Sequence, residues 1–94
     1  MKLEWDEAKR RRTLGTRGAN FADVAQLDRD TALTRDEYDW EGDEVRHVSI
    51  ARLRTDERLH VVVWCTRGDA VRVISFRRAK PKEETLYERY GEER

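Results

Sequence analysis

Ser75, Arg77 and Arg78 stand at the end of an apolar, β-branched run, Val71 to Phe76, shortly before the chain's single proline, Pro81. A guanidinium fixed at the rim of a rigid strand can hold phosphate through two parallel hydrogen bonds, which a freely moving surface arginine does poorly. Further back, Glu44 and Arg46 are two positions apart, so on a strand their side chains share a face. Together with Arg72, and with Lys9 on a neighbouring helix, these residues form a polar set suited to cleaving RNA without a metal. That reaction needs a base for the 2′-hydroxyl, cations for the charge on the phosphorane and an acid for the leaving 5′-oxygen. Glu44 is the candidate base and the arginines supply the electrostatic stabilisation. An arginine does not give up its proton, so the acid's role falls to His47, His60, Lys9 or water. The plain alternative is a solvated strand end and a surface ion pair between Glu44 and Arg46.

Several elements must position this set. Leu3 to Trp5 reads as a short strand or an extended lead-in. Asp6 is a good N-cap, and the helix it opens is expected from Ala8 to about Leu14, ended by Gly15 and Gly18. Asn20 caps a second helix, with Phe21, Val24 and Ala25 pointing into the core. Thr31 to Thr34 reads as a weak strand and the acidic stretch Asp36 to Asp43 as a loop or wide hairpin. Val45 to Ala51, Leu59 to Thr66 and Val71 to Phe76 are strands, the last two joined by a turn at Arg67-Gly68-Asp69. Pro81 sits where a helix tolerates it, and Lys82 to about Tyr90 completes the order.

The reading is α+β: a single domain over residues 1–94, with an antiparallel meander of four strands, five if Leu3 to Trp5 joins it. Two N-terminal helices and one C-terminal helix cover one face, giving two layers and leaving the other face partly open and concave. With regular pairing, Arg72 shares a face with Ile74 and Phe76 while Ser75 and Arg77 lie on the opposite one. A bulge after Ser75 would bring Arg77 or Arg78 around.

Composition narrows the function. Charged residues make up 43% of the 94 positions, yet the formal net charge is zero, which predicts no indiscriminate pull toward polyanions. The charge is unevenly placed: Lys9 to Arg12 is basic, Arg77 to Lys82 is mostly basic, and Asp36 to Glu44 is acidic. A lone Cys65 inside an apolar strand fits a reducing, cytoplasmic setting and a core role. Two histidines and one cysteine give no metal-ligand pattern, so neither metal nor cofactor is expected. No apolar run approaches the ~18 residues a membrane span needs. Trp5 and Trp64 read as core; Trp40, Tyr38 and Tyr87, with those two, are the candidates for stacking on bases in a plain RNA-binding reading.

Several short motifs recur in order. Glu4-Trp5-Asp6 is followed by Lys9, Gly18 and Phe21. Gly42, Glu44 and Arg46 form a Gly-Glu-x-Arg-like element, and Arg72, Ile74, Ser75, Arg77, Arg78 and Ala79 are followed by Glu83 and Tyr87. In this the chain resembles the BrnT family of toxins from type II toxin–antitoxin modules, over roughly residues 3 to 90. The resemblance implies a RelE-like fold and an endoribonuclease that inhibits translation. It also implies a BrnA-type ribbon-helix-helix antitoxin, through which alone operator DNA is contacted. Catalysis would rest on Glu44, Arg46, Arg72 and Arg77, and substrate binding on Lys9, Arg17, Ser75 and Arg78. The chain departs from the family pattern at Thr13, Thr16, Arg17 and Phe76. Arg17 replaces a histidine, the side chain best suited to proton transfer near neutral pH, while keeping a cation. That departure implies a second reading, a catalytically weak homologue that binds its antitoxin and tunes repression.

Overall fold

The computed structural model describes residues 2–42 and 44–92. Strands β1 (Lys2–Trp5), β2 (Leu33–Asp39), β3 (Glu44–Arg52), β4 (Leu59–Arg67) and β5 (Ala70–Arg78) form one sheet in the order β1-β5-β4-β3-β2. Helix α1 (Glu7–Arg17) and a 3-10 helix, Phe21–Gln26, lie between β1 and β2, and helix α2 (Pro81–Glu92) ends the chain. The antiparallel α+β meander is as the sequence reads. The lead-in becomes a fifth strand, paired parallel to β5 with Glu4 opposite Arg72 and Trp5 opposite Val73.

Local chemistry explains the boundaries. Asp6 caps α1, its Oδ1 accepting from the Lys9 amide at 3.1 Å. The helix passes through Gly15 and stops at Gly18, whose φ of 68° is the left-handed C-cap, with its N–H on the Leu14 carbonyl. No residue of α1 is buried. Asn20 caps the next segment through the Ala22 amide, but that segment is a 3-10 helix. Three residues per turn align Phe21, Val24 and Leu27, which are the buried ones. Ala25, expected in the core from an α-helical period, is exposed.

The expected weak strand at Thr31–Thr34 and acidic loop also resolve differently. Asp36 and Glu37 belong to β2, opposite His47 and Arg46 of β3, and only a short turn joins the two strands. Asp43, the end of the expected loop, lies outside the described residues.

Both faces of the sheet carry apolar clusters. On the first, Ala51, Val62, Val73 and Phe76 pack on Phe21, Val24 and Leu27, with Leu3, Trp5 and Trp64 at the margin. Fully burying side chains such as Phe21 and Phe76 contributes roughly 1.5–3 kcal/mol each. On the second, Ile50, Leu59 and Val61 form a smaller cluster with Leu33, Val48, Ala79 and Tyr87. The C-terminal helix thus lies across the sheet from the N-terminal segments, rather than beside them. It covers only the half of the second face near Leu33, Ile50 and Val61.

Candidate functional site

The uncovered half of the second face holds the candidate site, and a β-bulge assembles it. Val63 stands opposite Ser75, but Trp64 stands opposite Val73, so Ile74 is the extra residue of β5. Val73 and Phe76 therefore both face the first cluster. Arg72, Ser75 and Arg77 all face the other way. Regular pairing would have split Arg72 from the other two; the bulge, one residue before Ser75 rather than after it, reunites them. On β3, Glu44 and Arg46 precede Val48 and Ile50 on this same face.

Glu44, Arg46, Arg72, Ser75 and Arg77 thus share one surface. Arg72 is half-buried, with Nη1 3.6 Å from Glu4 Oε1 on the adjacent strand. Glu44 Oε1 is 3.9 Å from Arg67 Nη2. Both contacts are loose ion pairs at the limit of direct bonding, of the kind an incoming anion can displace. Between them lies Cys65, opposite Arg72 in register. Burial pushes its thiol up, and the hydrogen-bonding Glu44 carboxylate adds to the effect. Cys65 is therefore a protonated core residue at neutral pH. Ser75 is half-buried opposite Val63.

Arg77 has a different environment. Its Nη1 and Nη2 donate to Glu83 Oε1 and Oε2 at 2.7 and 2.8 Å, a two-pronged fork between β5 and α2. Glu83 also accepts from the Lys80 amide at 2.8 Å, closing the first turn of α2 as a capping box does. The Arg77 guanidinium, followed by that amide bond, lowers the Glu83 carboxyl to about 2, and Glu83 in turn raises Arg77.

The other expected residues lie elsewhere. Arg78, next to Arg77 on the strand, is exposed and pairs in register with His60. Lys9 and Arg17 are on α1; its Arg10 reaches Asn20 at the start of the 3-10 segment, and Arg17 is an exposed cation at the helix C-terminus. His60 is buried, stacked on Phe76 at 5.0 Å with Nδ1 3.0 Å from the Arg58 carbonyl. His47 is on the first face, with Nδ1 2.6 Å from Asp36 and its ring 4.3 Å from that of Trp64. Neither histidine is positioned beside Glu44 or Arg72. Glu4 and Arg67 were missed in the sequence. The signal for Glu4 was available, since it alternates with Leu3 and Trp5 and so must point away from the core they enter. Arg67 read as a turn residue, but β4 continues through it and the turn is Gly68-Asp69, with Gly68 at a φ of 59°.

A carboxylate flanked by arginines on an open, rigid sheet face is equipment for handling phosphodiesters. The sequence model of the ribonuclease toxin BrnT, of type II toxin–antitoxin systems, matches residues 5–83, and the chain belongs to that family. The matched span runs from the end of β1 into the first turn of α2 and includes every candidate site residue. Searches of curated proteins and of solved structures give no match. Among the described residues no helix is long and apolar enough to cross a membrane.

Proposed function

We propose that this ribonuclease toxin cleaves RNA without a metal on the open half of the second sheet face, and thereby inhibits translation in the cytoplasm. The observation that carries the reading is the bulge at Ile74, which brings Arg72 and Ser75 onto the face of Glu44 and Arg46. Arg72 and Arg46 hold the scissile phosphate and stabilise the added charge of the phosphorane. Glu44 takes the proton of the 2′-hydroxyl, whose oxygen then bonds to phosphorus. The bond from phosphorus to the 5′-oxygen breaks, leaving a cyclic phosphate and a 5′-hydroxyl. Water supplies the proton for that oxygen, because both histidines face away. Ser75 donates to a phosphate oxygen. Arg77 borders the site, positions the strand end and adds to the cationic field; Arg78, in register with first-face His60, and Lys9 and Arg17 on α1 do not hold the scissile phosphate.

The partner in this reading is a BrnA-type ribbon-helix-helix antitoxin, with operator DNA contacted through it. Expression of the chain alone tests the activity: growth arrest with RNA cleavage supports it. Healthy growth with folded protein would instead select the partner-binding co-repressor reading. The observation favouring that second reading is Arg17, a cation exposed at the end of α1 that cannot transfer a proton, at a position where the family resemblance implies a histidine.

A further inference from the structure

The β2–β3 hairpin end carries an exposed aromatic patch that the reaction does not use. Trp40, in the turn, is 85% exposed, and its ring meets that of Tyr38 edge-on at 4.6 Å. Val45, opposite Tyr38 in register, is also exposed. A tryptophan so fully in water contributes little to the fold, whereas tryptophan and tyrosine dominate the energy of protein interfaces when covered.

The surrounding charge says what covers it. From Asp36 to Glu44 six of nine residues are acidic and none is basic. All 20 basic residues therefore lie outside this segment, against 14 of the 20 acidic ones. Arg35 pairs with Glu37 at 2.7 Å and Arg67 lies 3.9 Å from Glu44, but six carboxylates against these two cations leave the patch net acidic, which repels a phosphate backbone. Aromatics among carboxylates suit a protein segment that presents apolar anchors flanked by lysine or arginine. β2 is also the edge of the sheet, so its outward backbone groups can accept an added strand.

We infer that the hairpin patch Tyr38–Trp40–Val45 is the docking surface for a basic, apolar-anchored segment of the protein antitoxin. This rests on the toxin–antitoxin reading. The hairpin returns into β3 at Glu44, the candidate base. Tyr38 and Val45 share the first face with His47, so a partner seated on them anchors at the hairpin edge and leaves the arginine face to the rest of the antitoxin.

The test uses the full chain and its purified cognate antitoxin, with affinity measured by calorimetry at low and high salt. Y38A/W40A is expected to weaken binding by about a hundredfold. The charge-reversed E37K/E41K is expected to weaken it by about tenfold and to flatten its salt dependence. Cleavage of single-stranded RNA by Y38A/W40A without antitoxin should match wild type. Unchanged antitoxin affinity in both variants overturns the inference. So does a loss of RNA binding with antitoxin affinity intact, which would make the patch a base-stacking platform. No complex with the wild-type chain would sink the toxin–antitoxin reading, and this inference with it.

Discussion

Arg72 and Arg77 lie on one strand and, because of the bulge at Ile74, on one face of the sheet, yet they are held differently. Arg77 is gripped in a two-pronged fork by Glu83 at 2.7 and 2.8 Å. Among the described residues Arg72 has a loose contact of 3.6 Å to Glu4. The difference follows from what covers each half of the face. Helix α2 lies over Arg77 and is tied to β5 by it, and among the described residues no comparable fork holds Arg72. In the proposed reaction the same side chain type therefore serves as a strut in one half and as a phosphate ligand in the other. Motif matching alone cannot distinguish these uses.

The largest effect should come from the open half. Glu44→Gln keeps the size of the side chain but removes the base, and should lower RNA cleavage by about 10²–10⁴-fold while thermal unfolding stays near wild type. Full activity in this variant would move the base elsewhere.

Arg77→Ala should show a mixed phenotype. Its loss removes a charge-assisted fork, so stability should fall by roughly 1.5–3 kcal/mol, with cleavage reduced as the strand end loosens. Arg77→Lys should restore part of the stability through one remaining bond. If Arg77 acts only as a strut, KM and kcat of the folded fraction will be unchanged. A shift in KM would mark its contribution to the cationic field.

The same pair gives a pH signature. Glu83 is depressed from 4.5 to about 2 in the folded chain. A depressed carboxyl contributes stability that is present above its unfolded value and lost as pH falls through its folded value. The advantage of wild type over Glu83→Gln should therefore shrink between about pH 4.5 and 2, by on the order of 1 kcal/mol after solvent screening. Parallel acid-unfolding curves would deny the tie between β5 and α2.

The smallest effect belongs to the first face. His47→Ala should leave cleavage within a small factor of wild type, because His47 bonds Asp36 and packs its tilted ring against Trp64 away from Glu44. A large loss would place the acid on that face and break the assignment of water.

Much of this was legible in the sequence, and the failures have physical causes. The three long strands and their turns show in a period of two and in Gly68-Asp69. The pairing of Glu44 with Arg46 on one face follows from the same period. A bulge in β5 was conceivable from the sequence, expected after Ser75, but its presence and its place at Ile74 were not legible, because Val-Ile-Ser-Phe satisfies regular and bulged pairing equally well; only packing of both Val73 and Phe76 into one core decides it. Ala25 was misplaced because an α-helical period was assumed where Asn20 opens a 3-10 turn. The parallel pairing of β1 depends on contacts distant in the chain. The Arg77–Glu83 fork was readable in part: a glutamate three residues after the N-cap Lys80 is a capping-box position, but which cation it meets depends on how α2 folds back.

The most direct measurement is cleavage of a single-stranded RNA by Arg72→Ala, with thermal unfolding followed on the same preparation. The account predicts a loss of about 10²–10³-fold in kcat at an unchanged melting temperature. Wild-type cleavage by folded Arg72→Ala would contradict the assignment of the open sheet face as the catalytic surface.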